Sequence, residues 1–538
     1  MSIWRSRRKY ALAMAITCAV FLRVPEAQAQ KTRHAQSGAR AAAAAAANPD
    51  MLRFAKRAEA LLGNEPASKG EWGLFIADGE TGETLFEQNA AKYFVPASNM
   101  KLFTTALALA KLGPDFRFHT TLESAGVIDS SGELTADLML VGRGDPNLSN
   151  RKFPFNLKEE FDGPPEKVLA ELADQLVAKG VKSISGDIVG DDSYFPRERY
   201  PNGWEIDDMV WEYGAAISAL VVNDNTATVT LTPGAAVGDE VQAEVAPRTP
   251  DFIVDNRLAT SAANVKADLT LTREPGAHLV VVSGTLPQKS APRKLVMGIE
   301  EPALHAATLL KALLEERGVR VSGGLRARHE NVAEPAGVTP TVLAEHVSIP
   351  LRDAVKLVNK ISQNLHTEVL LRAAMRQTAA TWSSPDELMK LAADFYAGIG
   401  IVADDVIQTD GSGLSRHDMV TPRAVIALLR WTQQQAWFEN YYASLPLAGI
   451  DGTLEERMRN TPAAGRVHAK TGSVEHVRTM SGFAETAGGR RLVFSFLSNN
   501  QGGKNHEATD ALAGLCVAMI EEFNAVPAKR SREHKRPH

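Results

Sequence analysis

Cysteine is close to absent from this sequence: Cys18 and Cys516 are the two in 538 residues. Cys18 falls in an amino-terminal apolar run, which leaves Cys516 alone and excludes an intramolecular disulfide staple, so stability has to come from hydrophobic cores. Cys516 shares a helical stripe with Leu512, Leu515, Met519, Ile520 and Phe523, the setting of a buried, inert thiol rather than a nucleophile. His-Glu-x-x-His is also missing, since His506-Glu507 lacks the second histidine; a metallopeptidase is disfavoured, and no metal or cofactor is expected. Neither sign of charge dominates. A net charge of -5 and a pI near 6.3 give no electrostatic ground for a nucleic-acid partner. No fixed-period repeat is evident, which argues against a solenoid or a propeller.

Long apolar runs are lacking too. The run from Tyr10 to Leu22 is shorter than the roughly 20 residues that span a bilayer, so no stable membrane anchor is expected. Preceded by Arg5, Arg7, Arg8 and Lys9 and followed by Ala27-Gln28-Ala29, it has the charge, core and small-residue order of a cleaved secretory signal. Residues 1–29 are therefore read as a signal peptide, the mature chain as starting at Gln30, and the destination as the periplasm. Residues 30–50, small and polar with an alanine run, read as a linker, and the basic residues 527–538 as a solvated tail.

What is present is an ordinary globular composition, 44% hydrophobic and 23% charged, over a length that argues for several domains of α/β (α+β) class. Helical periodicity covers Met51 to Leu62, and Leu74 to Ala77 followed by Asp78-Gly79-Glu80-Thr81-Gly82 predicts a strand and turn, with Thr84 to Glu87 pairing back. Near the other end, Met480 to Thr486 and Arg491 to Leu497 flank Gly488-Gly489 as a hairpin, and Glu507 to Phe523 predicts a helix. Strands and helices from both termini are thus expected to share one sheet. Between about Phe118 and Thr341 the texture changes to short β-rich runs broken by Gly, Pro and Asp, as inserted material would be.

Three motifs carry chemistry. Ser98-Asn99-Met100-Lys101 precedes a strong helix-forming run, and three-residue spacing on a helix stacks the Lys101 amine beside the Ser98 hydroxyl. A hydroxyl needs a base to become a nucleophile, and Lys101 is a base only when neutral, which calls for burial or a second cation. Lys470-Thr471-Gly472-Ser473 precedes the terminal hairpin; Lys470 supplies that cation, Gly472 lets a substrate backbone lie close, and Thr471 and Ser473 offer hydroxyls to a carboxylate. Ser362-Gln363-Asn364 falls between two apolar helical segments, and for both side chains to enter one cleft they must sit on the turn between them. Two decoys are set aside: Ser149-Asn150-Arg151-Lys152 follows a turn without a helix, and Ser498-Asn499-Asn500 reads as a loop.

In the order Ser-x-x-Lys, Ser-x-Asn, Lys-Thr-Gly, these motifs resemble the constellation of penicillin-binding proteins and serine β-lactamases. The long interval from Ser98 to Ser362 narrows the resemblance to the class C, type-4 penicillin-binding proteins, the D-alanyl-D-alanine carboxypeptidase/endopeptidases. Gly142-Arg143-Gly144-Asp145-Pro146, Gly186-Asp187-Ile188-Val189-Gly190-Asp191, Asn223-Asp224-Asn225 and Asp410-Gly411-Ser412-Gly413-Leu414-Ser415-Arg416 resemble them as well.

The resemblance implies a transpeptidase/β-lactamase-like domain over 51–118 and 341–526, interrupted by inserted domain II (119–141 and 227–340) and inserted domain III (142–226). It implies peptidoglycan stem peptides as substrates, covalent binding of β-lactam antibiotics, and no nucleic acid; a homo-oligomer is compatible with the sequence without being required by it. Ser98 would attack the carbonyl of the penultimate D-alanine, Lys101 would take its proton, and Ser362 with Lys470 would relay a proton to the leaving nitrogen. The N–H groups of Ser98 and Ser473 would form the oxyanion hole, Asn364 would orient the acyl-side amide, and Thr471 and Gly472 would line the place of the terminal carboxylate. Asp191 and Phe195 with Arg416 would read the free end of a diaminopimelate side chain. Alternatives within the same chemistry are a serine β-lactamase, which the inserts and the lack of a clear deacylating glutamate disfavour, and a non-turnover β-lactam- or peptidoglycan-binding protein.

Overall fold

A computed structural model describes residues 49–152, 161–247, 252–274, 276–330, 339–379, 381–502 and 505–525. The segments read as signal peptide and basic tail, and all but the last residues of the one read as linker, lie outside the described residues. The chain divides into two units, Met1–Lys56 and Arg57–His538; of the first, the described part is the start of the Pro49–Leu62 helix. Among the described residues no helix is long and apolar enough to cross a membrane.

The larger unit is built on a five-stranded antiparallel sheet drawn from both ends of the chain, in the order Val467–Val474, Val477–Glu485, Arg491–Asn499, Glu71–Asp78, Thr84–Gln88. Its three central strands are almost wholly buried, as strands covered on both faces must be. The pairing of Glu71–Asp78 with Arg491–Asn499 runs unbroken from Glu71 opposite Asn499 to Asp78 opposite Leu492. Ser498 and Asn499 therefore end a strand rather than lie in a loop, and Asn499 braces the backbone of Val95 through both ends of its amide. The terminal helix, Asn505–Glu522, buries Cys516, whose thiol burial pushes strongly toward the protonated form.

On this sheet pack the helix Met100–Leu112, buried over its first ten residues, and the hairpin-like pair Leu351–Ile361 and Asn364–Arg376. Together with Pro422–Thr432 they contribute much of one large core that includes Phe103, Leu107, Val355, Leu370 and Leu428.

The insert has its own two cores, and their partition departs from the expected domains. One core joins Leu122, Leu140, Leu172, Ile188, Leu220, Ala306, Leu310 and Leu343. It lies under a mixed sheet ordered Leu325–Arg328, Ile188–Asp191, Leu138–Val141, His119–Ser124, Thr341–Val347. Ile188–Asp191 pairs in parallel with a strand on each side, so residues assigned to domain III belong in one sheet with residues assigned to domain II, and Thr341–Val347, assigned to the transpeptidase-like domain, joins that sheet by pairing with His119–Ser124. The second core, with Val229, Leu231, Leu258, Val280, Val282 and Met297, is all β and spans 226–299 with Val210. Parallel partners are distant in sequence, and the local pattern of each strand is the same whichever sheet receives it.

Buried ion pairs fasten distant segments. Asp78, at the end of its strand, accepts Arg490 Nε at 2.7 Å, with both side chains under a tenth exposed. Asp78→Ala leaves that guanidinium buried without its partner, a change that costs about 3–5 kcal/mol. A clear drop in the midpoint of denaturant unfolding is expected, and an unchanged midpoint would show that water reaches Arg490.

Candidate functional site

Ser98 lies in the single helical turn Ala97–Asn99 that leads into Met100–Leu112. Ala97 has a φ of +47°, a left-handed conformation that strains a residue carrying a Cβ and that persists where surrounding structure enforces it. The next turn carries Lys101, fully buried. Its Nζ lies 2.9 Å from Ser98 Oγ, 2.6 Å from Asn364 Oδ1 and 2.7 Å from the carbonyl oxygen of Ser412.

Those three partners are not equivalent. An amide oxygen and a backbone carbonyl only accept, whereas a hydroxyl both donates and accepts. A neutral amine has two N–H groups and one lone pair. Asn364 and Ser412 take the two N–H groups, which leaves the lone pair directed at the Ser98 O–H. Burial pulls the Lys101 amine down to about 7, although the carboxylates of Asp410, Glu368 and Asp418 push the other way. A substantial neutral fraction therefore exists near neutral pH.

Ser362 occupies the turn between its two helices, with φ +63° and ψ +40°, and Asn364 opens the second of them. The left-handed residue between helices lets both side chains face the cleft. Lys470 Nζ lies 2.9 Å from Ser362 Oγ and donates to the Thr471 carbonyl at 2.7 Å. It is wholly buried, and among the described residues no carboxylate is paired with it in a salt bridge; burial, then the charge of Lys101, depress its amine well below the ordinary lysine range. Two adjacent buried ammonium groups repel, so this setting suits a proton carrier better than the fixed cation expected from the sequence.

The strand Val467–Val474 lies at the sheet edge beside the Ala97–Asn99 turn that carries Ser98. Asn99 Nδ2 donates to the Lys470 carbonyl at 3.0 Å. At Gly472 the missing Cβ makes room for the protein itself: a methyl there would lie 2.8 Å from the Pro96 oxygen and 3.0 Å from the Ser98 nitrogen, and would strike Thr479 Oγ1. Gly472 thus admits the Pro96–Ser98 backbone, where close approach of a substrate backbone was expected. Thr471 Oγ1 is 2.7 Å from Thr453 Oγ1.

A cleft of about 670 Å³ is lined by Ser98, Ser362, Asn364, Ser473, Arg416 and Glu475, among others. Asn364 Nδ2 donates to the Tyr213 carbonyl at 2.8 Å, so a substrate amide has to replace that carbonyl. The remaining wall comes from the insert and was not foreseen: Glu205, Asp207, Asp208 and Tyr213. The carboxylates of Glu205, Asp207 and Asp208 have ligand atoms within 4.8 Å of one another, and Arg416 Nε stands 3.7 Å from Glu205. Asp191 and Phe195, expected beside Arg416, lie elsewhere. Asp191 is buried at the end of its strand, 3.5 Å from Arg328 Nε, and accepts the Ser193 N–H at 2.9 Å. Phe195 is buried against Tyr194 and Trp382. Both aspartate clusters follow glycine or turn sequence, and local pattern does not say which one faces the cleft.

Beneath the cleft lie groups without a motif of their own. Glu368, one helical turn beyond Asn364, accepts the N–H groups of Gly411 and Ser412 at 2.8–3.0 Å and pairs with Arg372 at 3.0 Å. Burial and the neighbouring Asp410 raise its carboxyl to about 7 against the pull of Arg372.

Comparison with known proteins identifies the family and the fold. The model of the D-Ala-D-Ala carboxypeptidase 3 (S13) family matches residues 55–518. The D-alanyl-D-alanine carboxypeptidase of Actinomadura sp. (strain R39) is 34% identical over 485 residues, 87% of this chain and 84% of that protein. The D-alanyl-D-alanine carboxypeptidase DacB of Haemophilus influenzae is 26% identical over 415 residues, 77% of this chain and 82% of that one. The crystal structure of penicillin binding protein 4 (dacB) from Haemophilus influenzae shares the fold, with a TM-score of 0.74 at 24% identity, covering 88% of this chain and 99% of that chain.

The packing at Gly472 yields a direct expectation. Gly472→Ala displaces the turn that carries Ser98, and a shift of this size at a reacting group costs about a hundredfold in rate. Stopped-flow acylation by a chromogenic β-lactam should show that loss with little change in melting temperature; an unchanged rate would mean that the turn yields without moving Ser98.

Proposed function

Because the chain belongs to the D-Ala-D-Ala carboxypeptidase 3 (S13) family and is a serine-type D-Ala-D-Ala carboxypeptidase, we propose that Ser98, Lys101, Ser362 and Lys470 carry its reaction on peptidoglycan stem peptides. The observation that carries this reading is the placement of Lys101 Nζ 2.9 Å from Ser98 Oγ with two pure acceptors, Asn364 Oδ1 and the Ser412 carbonyl, beside it, so that a neutral amine gives its two N–H groups to them and keeps its lone pair for Ser98.

Ser98 Oγ attacks the carbonyl carbon of the penultimate D-alanine as its proton passes to Lys101 Nζ. The oxyanion forms toward the N–H groups of Ser98 and Ser473, one at the start of a helix and one on the edge strand, donors already fixed before the charge develops. The C–N bond then breaks. Ser362 donates its proton to the leaving nitrogen and recovers one through Lys470, 2.9 Å away, which passes on the proton that Lys101 took from Ser98. D-alanine departs, and a water in its place hydrolyses the Ser98 ester with the same groups acting in reverse.

Ser473 and Thr471 lie two residues apart, on one face of the strand, and offer hydroxyls to the terminal carboxylate. The Thr471–Thr453 bond can reverse direction, which frees the Thr471 proton for that purpose. Asn364 holds the acyl-side amide. Arg416 meets the carboxylate end of a side chain such as diaminopimelate, and the Glu205, Asp207 and Asp208 lip takes the complementary role first assigned to Asp191 and Phe195. A cleft open past the scissile bond also accepts a cross-linked amine as leaving group, which is endopeptidase activity. β-Lactams acylate Ser98 by the same attack and are held because their leaving group remains tethered. The amino-terminal signal pattern puts the enzyme in the periplasm.

Two measurements test this. A fluorescent penicillin should label the wild-type protein at Ser98 and leave Ser98→Ala unlabelled; label on Ser98→Ala would refute the assignment. The base must be deprotonated, so the acylation rate constant should fall about tenfold per pH unit below a midpoint near 7 and level off above it. A rate that keeps rising to pH 10 would mean that Lys101 has the ordinary affinity for its proton.

A further inference from the structure

Ser412 has no side-chain part in the reaction, yet its carbonyl fixes the direction of the Lys101 lone pair. What holds that carbonyl is a buried cage around residues 410–415. Asp410 accepts the N–H of Gly413 through Oδ1 at 2.6 Å, and the N–H of Ser415 and the Ser412 hydroxyl through Oδ2 at 2.8 and 3.2 Å. Glu368 takes the N–H groups of Gly411 and Ser412, and Thr104, one turn along the nucleophile helix from Lys101, donates to the Gly411 carbonyl at 2.7 Å. With these N–H groups committed to carboxylates, the Ser412 carbonyl is free to receive Lys101.

One member of the cage comes from the insert. The indole Nε1 of Trp204 donates to Asp410 Oδ2 at 2.8 Å, and this bond is buried. Flanking contacts hold the same short stretch: the Ser415 hydroxyl donates to the Asn202 carbonyl at 2.8 Å, and the Arg416 N–H points to the Gly203 carbonyl at 3.4 Å. Gly203, at φ +83°, has no room for a Cβ because His417 and the Ser415 hydroxyl lie against it. The next residues, Glu205, Asp207, Asp208 and Tyr213, form the cleft wall. The segment that lines the substrate cleft is therefore pinned to the loop that aims the base.

We propose that Trp204 is a positioning residue for Lys101, acting through Asp410 and the Ser412 carbonyl, so that docking of the insert completes the mount of the general base. The inference deepens the assignment of Lys101 as base and rests on it. A residue that merely filled space would act through its ring, which Phe keeps; a positioning residue acts through its N–H. Loss of that N–H leaves Asp410 Oδ2 short of a donor in a buried site, and the loop settles with the Ser412 carbonyl off the lysine.

The test compares wild type, Trp204→Phe, Asp410→Asn and the double variant in acylation by a small β-lactam, followed across pH alongside melting temperature. Trp204→Phe should acylate about ten- to a hundredfold more slowly at the high-pH plateau, with the midpoint of the pH limb displaced and melting temperature nearly retained. The double variant should be no worse than Asp410→Asn alone, because the bond that Trp204→Phe removes ends on Asp410. Where Asp410→Asn does not fold, the plateau and midpoint of Trp204→Phe decide alone. A Trp204→Phe plateau and midpoint equal to wild type would overturn the inference while leaving Lys101 as base; a wild-type profile without a limb near 7 would overturn that base assignment itself.

Discussion

Two amines buried side by side set the terms for the rest of the site. Lys101 and Lys470 are both wholly enclosed; enclosure penalises each charge, and the charge of Lys101 penalises that of Lys470 further. Left alone, such a pair would be neutral and inert. The acids beneath Lys101, Asp410, Glu368 and Asp418, pull its affinity back up to about 7, where proton uptake and release are both easy. The acids in turn are enclosed, and Asp418 is driven well toward its protonated form by burial and by Asp410. The site balances buried charge of both signs so that a proton can move at little cost.

This balance explains why the catalytic sheet does not stand alone. The insert reaches the catalytic helices through buried polar links: Asp224 joins Arg151 and His366, Glu198 meets Arg372 at 2.6 Å, and Trp204 meets Asp410. At Asp224, burial disfavours the charge, but Arg151 and His366 outweigh it and hold the carboxyl well below its usual range. His366 and Arg372 sit on the helix that Asn364 opens. Ligands to Lys101, supports of those ligands and the docking of the insert are thus consecutive turns of one helix and one adjoining loop.

Much of the site was legible in the sequence because its key atoms belong to side chains at fixed spacing. Ser98 and Lys101, Ser362 and Asn364, and Lys470 with Ser473 fall on the helix start, the inter-helix turn and the strand that their surroundings implied. The Ser412 carbonyl was not legible, since a backbone acceptor has no residue signature. Neither was Gly472: a glycine shows that something comes close, but not whether it is substrate or the chain's own Pro96–Ser98 turn. Asp191 and the Glu205–Asp208 lip differ in burial, which long-range packing decides. The same packing assigned Ile188–Asp191 to a sheet with Leu138–Val141 and Leu325–Arg328, although its apolar run alone would suit either inserted core.

The central claim is that Lys101 is neutral often enough near pH 7 to act as the base, because it is buried with two acceptors that fix its lone pair. The most direct measurement is NMR titration of the lysine ε-methylene carbons, with Lys101 assigned by its loss in Lys101→Arg. The account predicts a resonance that titrates near pH 7, several units below the ordinary lysine value of about 10.4. A Lys101 signal that stays in the ammonium position through pH 9 would contradict it.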